Sequence, residues 1–236
     1  MIINEETIPD IRELYILGLP IKTKIGNIHF AKVKDYYTVL TFLPYIFLTK
    51  EDIYELFEDK KMAEEQLKDI PFLIIIKNIP DLYLIYKKIF YFFFKEDVFD
   101  LVETDDELNY YLNLMKTMNC LHYEKPSKDP EIAKFDMYDR IYKEKRGLIV
   151  TFEAMVTSVE LISRQNALDM TIYKLNALFN RIMAFENYRT SVLFATVAPD
   201  VQIENWFKHI DVNYNNKNNK TFLKDYIKEM EKIFNN

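Results

Sequence analysis

His29, His122, His209 and Cys120 are the side chains of this sequence best suited to metal binding or nucleophilic catalysis. A zinc site needs about four ligands at short, characteristic spacings. No two of these histidines lie within a helical turn of one another, and Cys120-Leu121-His122 is a lone C-x-H with no second half. The pattern reads as a half-buried thiol beside a surface imidazole. A cysteine nucleophile would need a histidine brought beside it by the fold, and His122 is too near in sequence for that arrangement.

Asp97, Asp100, Glu103, Asp105, Asp106 and Glu107 form an acidic run that acid–base or two-metal chemistry could draw on. The same run sits at a predicted helix start, where negative charge meets the positive end of the helix dipole. That reading needs no reaction. No P-loop, dinucleotide fingerprint, H-E-x-x-H, kinase motif set or G-x-S-x-G elbow occurs. The expectation is a non-enzymatic protein with no catalytic residue, cofactor or metal.

The backbone points the same way. Only Gly18, Gly26 and Gly147 occur in 236 residues, against about sixteen at the usual frequency of about 7%. Glycine supplies positive φ and close approach to a phosphate. A chain so short of it is suited to helices joined by plain loops. Lysine far exceeds arginine, and Ile, Asn, Tyr and Phe are abundant. All have A/T-rich codons, which suggests genomic bias from a low-GC bacterium or its virus.

With 49% hydrophobic residues the chain can bury a sizeable core, so disorder is not expected for most of it. A net charge of −6 weighs against a nucleic-acid grip. One cysteine excludes an intramolecular disulfide and fits a reducing compartment. The first residues show no signal-peptide pattern. Phe72 to Phe94 is the most apolar stretch, but Lys77, Pro80, Asp81, Lys87 and Lys88 interrupt it. A spanning helix needs about 18 or more uninterrupted apolar residues, so this stretch reads as core. Its aromatic and lysine mix, Tyr83 to Lys88 and Tyr91 to Lys95, resembles a stacking platform for single strands. Its apolar density favours burial.

The elements follow from periodicity and caps. Ile21–Ile25 and Ile28–Val33 alternate apolar and polar around Gly26-Asn27, which predicts a hairpin. Thr49 with Asp52 predicts a capped helix whose stripe runs Ile53, Leu56, Phe57, Met62 and Leu67 and closes at Pro71. Asp81 opens the next, through Leu82, Ile85, Ile89, Phe92 and Phe93. Val98 to Val102 reads as a short strand, and Thr104 caps a helix to about Asn119. Pro126 to Pro130 breaks the chain. Helices follow over Glu131–Lys145, Thr151–Ser163 and, capped by Asp169, a long one ending near Pro199. An asparagine-rich linker then leads to an amphipathic segment, Thr221–Phe234. The fold class is mostly α with a small N-terminal β-hairpin. The expected parts are a lobe over 1–120, a helical lobe over 131–212, a linker over 213–220 and a terminal helix over 221–236.

The segment Asp169 to Arg181, its continuation through Glu186-Asn187-Tyr188 to Ala195, and the following Trp206-Phe207-Lys208-His209-Ile210 form one pattern. With the ribbon Pro20 to Ile28, it resembles the tail assembly chaperones and baseplate-hub assembly proteins of tailed phages. The resemblance implies a helical protein of the host cytoplasm that holds the tape-measure chain or helps build the hub, whether or not it stays in the virion. Its partner would be a phage tail protein, not nucleic acid or membrane, with self-association left open. The partner-binding residues expected are Tyr173, Asn180, Arg181 and Tyr188 on exposed sides of the long helix, and Phe222, Tyr226 and Met230 on the last. The alternative is a regulatory protein of a virus or mobile element that binds a host protein or nucleic acid.

Overall fold

A computed structural model of the chain describes residues 15–57, 59–198, 201–208, 210 and 212. Among these, nine α-helices, two 3-10 turns and one two-stranded sheet give a mostly α fold with an N-terminal hairpin. The chain forms two compact units, Met1–Leu175 and Asn176–Asn236. The expected C-terminal helix, with Phe222, Tyr226 and Met230, lies outside the described residues.

The hairpin pairs β1 (Ile21–Lys22) with β2 (Asn27–Ile28), Ile21 opposite Ile28 and Lys22 opposite Asn27. The turn is therefore centred on Lys24-Ile25, not on Gly26-Asn27 as the sequence suggests. Thr23 explains the shift: its amide and hydroxyl both donate to the Gly26 carbonyl, at 2.9 and 2.7 Å. That closure lets Ile25 bury its side chain. Gly26 takes φ +148°, and a Cβ there would come within 3.4 Å of the Phe94 ring. Glycine serves here to let the ribbon lie against a helix.

A 3-10 turn (Val33–Asp35) leads into α1 (Tyr36–Ile46), which buries Val39, Leu43 and Ile46 along one stripe. The capping box expected at Thr49 and Asp52 is present and opens α2 (Lys50–Tyr54). The helix stops far short of Leu67. Asp59 starts a separate α3 (Lys60–Leu67) by accepting the Met62 amide at 3.0 Å. A cap inside the apolar stripe offers the backbone a competing start, so Leu56 and Phe57 end in a connector, largely exposed.

The apolar stretch 72–94 is core, as its composition predicts, but it holds two helices. The sequence reading missed α4 (Phe72–Asn78), which lies before Pro80 at the first position of α5 (Pro80–Phe94). Proline is tolerated there because that amide has no intrahelical partner. Tyr86, Phe90, Phe93 and Phe94 of α5 are fully buried. Burial of side chains this size contributes roughly 1.5–3 kcal/mol each. Residues 98–102 form a 3-10 turn (Phe99–Leu101), not a strand. The tight turn sends Phe99 into the cluster, 5.0 Å from the Phe90 ring, and leaves Asp100 outside to meet α5.

Thr104 caps α6 (Asp105–Met118) by accepting the Glu107 amide. The helix closes with Cys120 N–H to Thr117 O and Leu121 N–H to Lys116 O, the paired bonds of a Schellman ending. Beyond the proline-rich break come α7 (Pro130–Lys145), α8 (Phe152–Ser163) and α9 (Ile172–Ala195). The first unit continues past that break to Leu175 for a specific reason. Residues 168–172 pair with 31–34 through Val33 N–H to Met170 O, Lys34 N–H to Leu168 O and Ile172 N–H to Ala31 O. Asp169 does not cap α9. Its carboxylate pairs with Lys34 at 3.1 Å, and Thr171 Oγ1 accepts the Lys174 amide instead.

Candidate functional site

Among the described residues, the groups that could do chemistry hold positions in the framework of the fold. His29 donates its amide to Phe93 O at 2.8 Å, which fixes the ribbon to α5. Burial, with Lys95 nearby, holds its imidazole below the ordinary histidine range. Cys120 is half-buried and occupies the left-handed position that ends α6, φ +52°. His122 lies 3.4 Å from Glu124 on the surface. His209 falls outside the described residues. Among the described residues no three His, Cys, Asp or Glu side chains gather as metal ligands would.

The acidic run is divided among separate structural tasks. Asp105 Oδ2 and Oδ1 accept the Phe72 and Leu73 amides at 2.8 and 2.7 Å. Pro71 has no side chain that could cap α4, so a carboxylate from the next helix supplies the cap. Glu107 accepts the Glu103 amide and pairs with Lys24 at 2.6 Å. The Lys24 bond comes first among the causes that hold its carboxyl below the usual range. Asp100 accepts the Tyr83 hydroxyl at 2.9 Å and lies 3.3 Å from Lys87, which also pairs with Asp97. The Tyr83 hydroxyl, then Lys87, lower the Asp100 pKa. Two surface depressions, one beside Phe57, Met62 and Leu67, the other beside Ile16, Asp169 and Lys174, are not lined by Cys120 or by these acids.

The residues expected to bind a partner are distributed differently from the sequence reading. Tyr173 is not exposed: it is buried in the first unit, its ring 5.3 Å from Tyr15 and 6.4 Å from Phe30. The short loop ahead of α9 brings the start of that helix into the core, which sequence spacing alone could not show. Asn180 and Tyr188 are half-buried. Arg181 is used within its own unit, donating to the carbonyls of Trp206 and Lys208. Trp206 in turn sits edge-on to Phe185 at 5.0 Å. These contacts fasten residues 201–208 to α9.

Other apolar side chains take the surface. Toward the end of α9, Leu193 and Phe194 are 69% and 58% exposed, and Val197 just beyond it is 80% exposed. The sequence reading places Leu193 and Val197 on the apolar stripe of the helix without distinguishing core from surface. On α7, Ile132, Phe135, Met137, Tyr138, Ile141 and Tyr142 are all exposed, and the helix buries nothing. Their three- and four-residue spacing was visible in the sequence beneath the many charges.

The described residues make a first unit of hairpin and helices and a second unit that holds most of α9, a mostly α class of protein. The chain belongs to the YomV family: residues 9–128 match the YomV N-terminal domain and residues 143–211 the YomV second domain. It is 26% identical over 238 residues to the SPbeta prophage-derived uncharacterized protein YomV of Bacillus subtilis (strain 168), covering 95% of this chain and 98% of that protein. No solved structure matches the chain. The phage origin implied by the resemblance is thus supported at the level of the family. Among the described residues, no helix is long and apolar enough to cross a membrane.

Proposed function

We propose that the chain works without catalysis in phage assembly, binding an amphipathic helical segment of a tail component such as the tape-measure protein. The observation that carries this reading is the exposure of Leu193, Phe194 and Val197 at the distal end of a 24-residue helix. Large apolar side chains grouped in this way suit a partner's greasy face. Membership of a family with a prophage-derived relative supports a phage partner. The binding energy would come from apolar burial at roughly 25 cal/mol per Å², less the cost of ordering both surfaces. The grip moves from Tyr173 and Arg181, which are engaged within the chain, to this distal end, with Tyr188 beside it. The reading places the protein in the host cytoplasm during assembly.

The test is capture from cells producing the tail proteins of the parent phage. The tagged chain is expected to retain a tape-measure or hub protein, and Leu193→Asp with Phe194→Asp to reduce the yield at least tenfold. Unchanged capture by that variant overturns the site. Retention of nucleic acid in place of a tail protein, lost steeply with added salt, overturns the function in favour of a regulator.

A further inference from the structure

α7 is an excursion between two fixed points of the first unit. Ahead of it the chain is fastened where Lys125 pairs with Asp52 at 2.5 Å and Lys128 pairs with Glu55. Behind it the Phe152 ring stacks on Tyr36, centroids 3.5 Å apart, and Val159 of α8 is wholly buried. Between these points α7 buries none of its 16 residues. Among the described residues, the side-chain hydrogen bonds and ion pairs of the helix are all local. Asp129 Oδ1 accepts the Glu131 and Ile132 amides at 2.8 and 3.4 Å, while Lys143 pairs with Asp139 and Arg140 with Glu144, one turn apart. Leu148 N–H to Lys143 O and Gly147 N–H to Glu144 O close its end. Gly147 stands there in open space, where a Cβ would meet nothing within 4 Å.

We infer that α7 unfolds and refolds on its own while the rest of the first unit stays closed, and that a protease enters the folded chain here. Helices draw most of their stability from packing, and one that relies on caps and surface ion pairs is marginal. Its opening forfeits no buried residue, so α7 does not share the free energy of the core. Closure of the unit does not run through it. That closure rests on the pairing of residues 168–172 with 31–34 and on Tyr173, whose ring meets those of Tyr15 and Phe30. Hydrolysis within α7 adds water across one peptide bond and leaves a carboxylate and an amine, with the first unit whole. Lys134, Arg140, Lys143, Lys145 and Arg146 suit a protease that cuts after lysine or arginine. The inference is independent of the proposed function, which concerns the distal end of α9.

Hydrogen exchange of the full chain is expected to run at least about 100-fold faster across residues 134–146 than across α5. Tyr138→Pro, which breaks a helix interior, should leave the urea midpoint unchanged. Brief trypsin treatment should cut first within residues 134–146. The two pieces should then elute together in native buffer and part only in urea. Protection across α7 equal to that of α5 overturns the inference, as does a midpoint lowered by the proline. So does a first cut elsewhere between residues 15 and 175, or a pair of pieces that separates without denaturant.

Discussion

Asn119 Oδ1 accepts the Ala31 amide at 2.7 Å, joining the end of α6 to the strand-like segment after the hairpin across 88 residues of chain. The same side chain donates through Nδ2 to Met115 O at 2.9 Å, and it is wholly buried. Ala31 in turn gives its carbonyl to the Ile172 amide. One amide group thus connects three parts of the first unit. Replacing it leaves a buried backbone N–H without a partner, which costs about 1–3 kcal/mol beyond the lost bonds. Asn119→Leu is expected to destabilise the chain by about 3 kcal/mol in urea unfolding, with no change in binding at the distal end of α9 under native conditions.

Asp105 performs the equivalent task for α4, and its loss should be cheaper because the cap is partly solvated. Asp105→Ala is expected to cost about 1–2 kcal/mol. Hydrogen exchange should show the loss locally, as faster exchange at Phe72 and Leu73 while the α5 amides remain protected.

Local caps were the legible part of this sequence, because Thr49 and Thr104 bond to amides three residues away; Thr151, read as the first residue of its helix, caps it in the same way. Where the deciding partner is distant, the sequence reading failed. The Asp105 cap spans 33 residues, and the Lys34–Asp169 pair that draws Asp169 away from α9 spans 135. The break before α3 hung on Asp59, one ordinary acid among many. Tyr173 and Phe135 show the same limit for the candidate sites. Both are aromatic residues at helical spacing, yet one is core and the other surface. Only the packing of neighbouring segments separates them.

Glycine scarcity has a measurable consequence. All three glycines take positive φ, and Lys95, Cys120 and Arg164 take left-handed conformations at helix ends where glycine is usual. Such a conformation costs a side-chain-bearing residue roughly 1–2 kcal/mol, partly offset in glycine by its greater unfolded-state entropy. Arg164→Gly is expected to raise stability by about 0.5–1 kcal/mol. Gly18→Ala should do the opposite, because φ is +65° and a Cβ would stand 2.8 Å from Thr171 Cγ2. A loss of about 2 kcal/mol or more is expected there by thermal unfolding. Equal effects from the two changes would mean that backbone conformation at these sites is not what sets their stability.

Acid should weaken the fold in two separate windows. Burial, and then the Lys95 charge, disfavour the protonated imidazole of His29, with Glu96 opposing. Its folded pKa lies below that of the unfolded chain, about 6.5. The contribution is therefore complete above about pH 6.5 and is lost as pH falls from there through the folded value. Asp100 and Glu107 are also lowered in the fold, by the Tyr83 hydroxyl and by Lys24 respectively. Their contributions hold above the unfolded carboxylate range near pH 4 and disappear below it. Urea midpoints from pH 8 to pH 3 should decline in both regions. His29→Gln should flatten the first decline and leave the second. Persistence of both in that variant would assign the upper window to another group.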